Sequence, residues 1–299
     1  MAATTPSDTA PRPKRGRRFL WVLLVGLILL IAANTLLPEW DLTGEDKVAV
    51  IRVEGVIVDA QATVGELKKF GEIPSVKAIV LRIDSPGGGV VPSQEIHDAV
   101  RRLRAKHSKT VVASMGTVAA SGGYYIAAAT DRIMANPGTL TGSIGVIMEL
   151  ANVEGLLKKI GVESVVVKSG EHKDIGSPFR QMSEQDRRIL QGVMDDVHAQ
   201  FIEAVAEGRS LKVGDVKSLA DGRIFTGRQA KDQKLVDELG DLDDAVKLAA
   251  ELAGIEGEPK VVEPRKRFSI REFLENRVFG SLPRFDLQTG VSLKYLMAF

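Results

Sequence analysis

The chain has 299 residues, enough for one large domain or two small ones, with 44% hydrophobic residues and a net charge of +1. That balance, with no basic stripe interleaved with aromatics, gives no ground for a nucleic-acid partner. The absence of cysteine excludes disulfides, thiolate nucleophiles and cysteine-ligated zinc, and the four histidines (His97, His107, His172, His198) form no HExxH or i, i+4 pair, so no metal or other cofactor is expected.

Residues 1–18 are rich in Pro, Ser and Thr and then basic, with Arg12, Lys14, Arg15, Arg17 and Arg18. The apolar run FLWVLLVGLILLIAANTLL follows, and segment 19–38 reads as a transmembrane signal anchor of about the 20 residues a bilayer needs. A cleaved secretory signal is the competing reading, but the run is long for one and no A-x-A site follows. A buried core helix would show a polar face, and this run has none. Basic residues precede the run, and Glu39, Asp41, Glu45 and Asp46 follow it. The N-terminus is therefore expected in the cytoplasm and the rest of the chain outside the cell membrane.

From Lys47 onward, short apolar runs alternate with helical patterns. KVAVIRVEG and AIVLRID read as buried strands, VPSQEIHDAVRRLRAKH as an amphipathic helix, TVVASMG as a strand and SGGYYIAAA as a short apolar helix. RIMAN and SIGVIME come next, then a helix over VEGLLKKI and a strand over SVVVKSG. A long helix is expected from Ser183 to Gly208, opened by Ser183 and Asp186 as a capping box, with Leu190, Val193, Met194, Val197, Phe201 and Val205 as its core-facing stripe. A last helix covers Asp241 to Ala253. The order predicts an α/β domain with a mostly parallel sheet and no internal repeat. Segment 256–299 changes character: EPRKRFSIREFLENRVF is basic with an apolar face and SLKYLMAF is apolar, as for a flexible or oligomer-contact tail first, with a piece lying on the membrane surface or occupying a groove as further readings.

Three glycine-bearing spots and a set of lysines carry the chemistry. DSPGGGV, from Asp84, follows a strand and can aim backbone N–H groups into a cleft; it is not a phosphate loop, because no G-K-[ST] follows. In AASGGYYIA, a strand, a sharp turn and a helix starting at Ser121 would expose Oγ beside free helix N–H groups, the logic of a nucleophile elbow. The plain alternative for Ser121 is a helix N-cap. GTLTGSIGV carries Ser143 and lacks the dinucleotide fingerprint. Serine–lysine pairs are an alternative to serine–histidine ones, yet periodicity does not choose among Lys159, Lys168 and Lys173.

The motifs DSPGGGV, MGTVAASGGYYIA, NPGTLTGSIGV, KSGEHKDIGSPFR and ADGRIFTGRQA, in this order, resemble the bacterial signal peptide peptidase A family in its short form, over residues 45–255. The resemblance implies a Clp-protease-like, crotonase-type fold and a membrane-bound serine peptidase. It implies Ser121 as nucleophile, Lys173 as general base, Ser143 orienting Lys173, and Gly88 and Gly122 as oxyanion donors. It further implies a dyad completed within one chain, a ring-like homo-oligomer, and apolar signal-peptide remnants as substrates. Rival expectations are a related peptidase trimming other membrane proteins, acyl-CoA chemistry on the same fold, and a non-catalytic scaffold.

Overall fold

β-branched runs with no polar alternation demand burial on both faces, and β1 (Lys47–Glu54) meets that demand, with Val48 to Ile51 fully buried. The computed structural model describes residues 21, 25, 26, 45–264 and 294–296. The expected basic segment 1–18 and anchor 19–38 lie outside the described residues, apart from Trp21, Val25 and Gly26, which are helical. Among the described residues no helix is long and apolar enough to cross a membrane.

The first half of the domain winds through α1 (Gln61–Glu72), β2 (Val76–Ser85), β3 (Gly87–Gly89), α2 (Val90–His107), β4 (Thr110–Ala120) and α3 (Gly122–Ala127). Then come β5 (Arg132–Ala135), β6 (Leu140–Gly142), α4 (Glu154–Lys159) and α5 (Glu184–Arg209). α6 (Val213–Leu219), β7 (Ile224–Thr226), α7 (Gly227–Asp232), β8 (Glu238–Leu239), α8 (Leu242–Leu252), β9 (Lys260–Val262) and β10 (Lys294–Leu296) follow. The main sheet runs β7-β6-β4-β2-β1-β9, with β5 between β4 and β8. Every pairing in it is parallel except β6 with β7. This is the expected mostly parallel α/β sheet.

Side-chain alternation along β1 divides the core. Ala49, Ile51 and Val53 face the larger cluster with Leu67, Ile96, Tyr124 and Phe201, while Val48 and Val50 meet Ala245, Val246 and Ala249 of α8. The long helix forms as the sequence predicts: Ser183 Oγ accepts from the Asp186 N–H, and the Asp186 carboxylate accepts from the Ser183 N–H. Tyr124, fully buried, donates its hydroxyl to the Leu235 carbonyl at 2.9 Å, tying α3 to the chain before β8. Tyr124→Phe should therefore cost about 1 kcal/mol, read as a lower urea midpoint with an unchanged slope.

Two expectations need correction. SVVVKSG forms no strand: Val165 and Val167 are 81% and 96% exposed, because a strand requires an edge to pair with and the described chain offers none there. The α5 stripe is core only in its second half; Val197, Phe201 and Val205 are buried, whereas Val193 is exposed.

Candidate active site

β4 stops at Ala120, and the chain turns sharply before α3 begins at Gly122. The hinge is Ser121, at φ 53 and ψ −115, a conformation that is costly for any residue with a Cβ. It is held from both sides: the Ser121 N–H donates to the Gly142 carbonyl, and its carbonyl accepts from the Tyr125 N–H, both at 2.8 Å. Ser121 is 1% exposed, caps no helix N–H, and its Oγ has no hydrogen-bond partner among the described residues. The N-cap reading of this serine therefore finds no hydrogen bond. Ser143 directly follows Gly142, also at positive φ, and its N–H donates to the Arg223 carbonyl. It lines a cavity of about 520 Å³ together with Ile147, His198 and Leu296.

The glycine run is pinned on one side. Ser85 Oγ accepts from the Gly87 N–H, the Gly87 carbonyl accepts from the Ile57 N–H, and the Gly89 N–H donates to the Ile57 carbonyl. Strand alternation then turns the N–H and C=O of Gly88 the opposite way, toward β10, where Tyr295 stands directly across. A Cβ at Gly88 would lie 2.5 Å from the Ile57 nitrogen, so only glycine fits. A Cβ at Gly122 would lie 3.2 Å from the Tyr295 carbonyl oxygen and 3.3 Å from the Gly87 Cα. As the first residue of α3, Gly122 has an N–H with no partner inside its helix. Gly88, Gly122 and the Tyr295 carbonyl oxygen thus converge beside Ser121.

β10 belongs to the apolar tail, and its backbone pairs with two segments of the domain. Lys294–Leu296 lies antiparallel to β3 on one side, while Lys294 exchanges both backbone hydrogen bonds with Ile147 on the other, at 3.2 and 3.3 Å. The backbone of these three residues stands in for an extended peptide bound by strand addition. Its register sets the Tyr295–Leu296 peptide bond against the convergent N–H groups. The Tyr295 ring enters a pocket formed by Tyr125 and Phe201.

The structure distinguishes among the lysines. Lys168 is held by the Asp174 carboxylate at 2.7 Å and by the Glu171 carbonyl. Lys173 sits in the turn 171–176, exposed, and its amine makes no hydrogen bond or ion pair among the described residues. Ser121, Gly88 and Gly122 are brought together; Lys173 and Ser143 make no side-chain bond to Ser121 or to each other. The turn is nonetheless anchored. The Arg180 guanidinium, then Lys168, hold the Asp174 carboxyl well below the usual carboxylate range. Arg180 does the same to Asp186 at the start of α5, which His172 and Ser183 also reach. Arg180→Ala should free this turn and lower kcat about 10- to 100-fold with little change in KM, checked by steady-state kinetics beside a circular-dichroism control.

Sequence reasoning missed Ile57 and Ile147, whose backbones complete the groove, and read Phe201 only as a core residue. Ile147 lies within SIGVIME, just past the motif NPGTLTGSIGV, but backbone pairing leaves no side-chain signal.

Comparison with known proteins gives a consistent picture. Peptidase family S49 matches residues 104–256, and Clp protease matches residues 49–140. A Synechocystis protein provisionally named a protease is 49% identical over 70% of this chain and 76% of its own length. One from Methanocaldococcus jannaschii, also provisionally named a protease, is 36% identical over 82% of this chain and 84% of its own. An Enterococcus faecium protein provisionally named signal peptide peptidase SppA is 38% identical, over 67% of this chain and 62% of its own length.

Proposed function

The chain belongs to peptidase family S49 and is a serine-type peptidase, and we propose that it is a membrane-anchored endopeptidase whose nucleophile is Ser121 and whose general base is Lys173. One observation carries this reading: an extended segment sits in strand register with its Tyr295 carbonyl against Gly88 and Gly122, beside the strained, unpartnered Ser121.

In the proposed reaction Ser121 Oγ attacks the peptide carbonyl and a neutral lysine takes its proton. The ammonium then protonates the leaving amine, and water releases the acyl-enzyme by the same base. The N–H groups of Gly88 and Gly122 receive the developing oxyanion. Since Lys173 is exposed and Ser121 Oγ is free among the described residues, the base reaches Ser121 from a neighbouring copy in a ring-like oligomer, and not within one chain as the resemblance implies. The exposed valines 165–167, a few positions before Lys173 in the chain, support that contact, because apolar surface of this kind favours burial at an interface. Ser143 then orients the incoming amine from the floor of the cavity it lines.

The substrates proposed are released signal-peptide remnants, which are extended and apolar and fit a groove that binds through backbone pairing. The anchor 19–38 holds the domain on the outer face of the membrane, where such peptides arise. The test uses the full chain in detergent with an apolar signal-peptide substrate, with covalent labelling by a fluorophosphonate alongside. Cleavage with Ser121-dependent labelling supports the proposal. Cleavage of folded membrane proteins in preference to signal peptides favours a related trimming peptidase, and no cleavage or labelling at all sinks the catalytic assignment.

A further inference from the structure

We propose that a β-bulge at Gly116–Val118, held by Asp84 on one side and Thr139 on the other, sets the position of Ser121 against the Gly88 N–H. Asp84 and Thr139 are then positioning residues. The inference rests on the peptidase reading above and adds what aligns its nucleophile with its oxyanion donor.

β4 does not run straight to Ser121. Its pairing with β2 is regular up to Met115, opposite Ile83, and resumes at Ala119, opposite Ser85. Between these pairs Asp84 of β2 faces Gly116, Thr117 and Val118 of β4. The other edge of β4 changes partner over the same stretch. Met115 is its last residue paired with β5, and Val118 is its first paired with β6. Extra residues in one strand bend it and leave ladder groups unpaired. Those groups need partners, and here side chains supply them.

The Val118 N–H donates to Asp84 Oδ1 at 3.1 Å. The carboxyl stands against Gly116, where a Cβ would come within 2.8 Å of the Asp84 Cγ. From the β6 side the buried Thr139 hydroxyl donates to the Gly116 carbonyl at 2.7 Å. The buried Thr141 hydroxyl donates to the Ala119 carbonyl at 2.6 Å. The bulge is therefore fixed from both flanks, and only Ala119 and Ala120 separate it from Ser121.

Asp84 also lies on the strand that leads into the glycine run, four positions before Gly88. Its carbonyl accepts from the Gly55 N–H at 3.0 Å, just ahead of Ile57, which pins Gly87 and Gly89. One side chain thus ties the strand carrying the nucleophile to the strand carrying the oxyanion donor. A misplacement of about 1 Å between reacting groups can slow the chemical step about 100-fold. Peptide docking uses the backbones of β3 and Ile147, so KM should change little.

The experiment uses the full chain in detergent with an apolar signal-peptide substrate. It follows kcat, KM, the rate of fluorophosphonate labelling at Ser121 and the urea midpoint. Asp84→Ala should lower kcat and the labelling rate about 10- to 100-fold, with KM within about twofold of wild type. Asp84→Asn should restore both to within about threefold, because its amide oxygen still accepts from the Val118 N–H. Thr139→Val should lose about 10-fold, and Thr139→Ser, which keeps the hydroxyl, should stay within about threefold of wild type. Added to Gly88→Ala, Asp84→Ala should cost no more than about twofold further, since the donor is already displaced. The Thr139 pair carries the same test if Asp84→Ala does not fold. A lower urea midpoint with wild-type kcat in folded Asp84→Ala and Thr139→Val makes the bulge merely structural and overturns the inference. So does Asp84→Asn as impaired as Asp84→Ala, or a fully multiplied loss in the double variant. Wild type that neither cleaves nor labels at Ser121 would instead refute the peptidase reading.

Discussion

Ser121→Ala and Lys173→Ala should each lower kcat by about 10⁴- to 10⁶-fold, since neither nucleophile nor base works without the other. The decisive effect appears when the two dead proteins are unfolded, mixed in equal amounts and reassembled together. If each site takes Ser121 from one copy and Lys173 from the next, half of the serines and half of the lysines are intact. About a quarter of the wild-type sites should then be whole. The structural ground is the unpartnered Ser121 Oγ in a chain whose Lys173 is exposed and unbonded among the described residues. A mixture as dead as its components, from proteins that assemble like wild type, would return the dyad to a single chain. It would also remove the structural reason for a catalytic ring.

Gly88→Ala should lower kcat by about 10²- to 10³-fold, the usual loss when an oxyanion donor is displaced. The added Cβ meets the backbone of Ile57, which is itself hydrogen-bonded to Gly87 and Gly89, so β3 must shift and its N–H with it. Gly122→Ala should be milder, because its Cβ meets backbone only at 3.2 Å and beyond, and its nearest contact is the Ser93 hydroxyl, which would give up its bond to the Gly89 carbonyl. Peptide kinetics with fluorophosphonate labelling separate the two cases. Retained labelling with lost turnover marks a displaced donor, whereas lost labelling marks a collapsed site. Wild-type turnover in Gly88→Ala would remove Gly88 from the oxyanion assignment.

Much of the fold was legible because it depends on local chemistry. Val48 to Ile51 and Ile79 to Leu81 form buried parallel strands, as their unbroken apolar runs predict. Ser183 and Asp186 form the capping box that starts α5. DSPGGGV and AASGGYYIA each follow a strand, and parallel strands deliver their ends to one edge, so the glycines and Ser121 meet. SVVVKSG has the composition of a strand and fails to be one, because pairing depends on a partner edge that composition does not encode.

By itself the sequence determined the sheet, the turn that carries Ser121, and a short list of lysines, since periodicity, turn chemistry and residue type are properties of neighbouring positions. Tertiary structure alone decided the rest. It fixed Ser121 at φ 53 with no cap to make, and paired Lys168 with Asp174 while leaving Lys173 unbonded among the described residues. It joined Tyr125 and Phe201 into one pocket and laid Lys294–Leu296 between Gly88 and Ile147. Those contacts span more than a hundred positions in some cases, and they exist only because packing closes distances that no local pattern records.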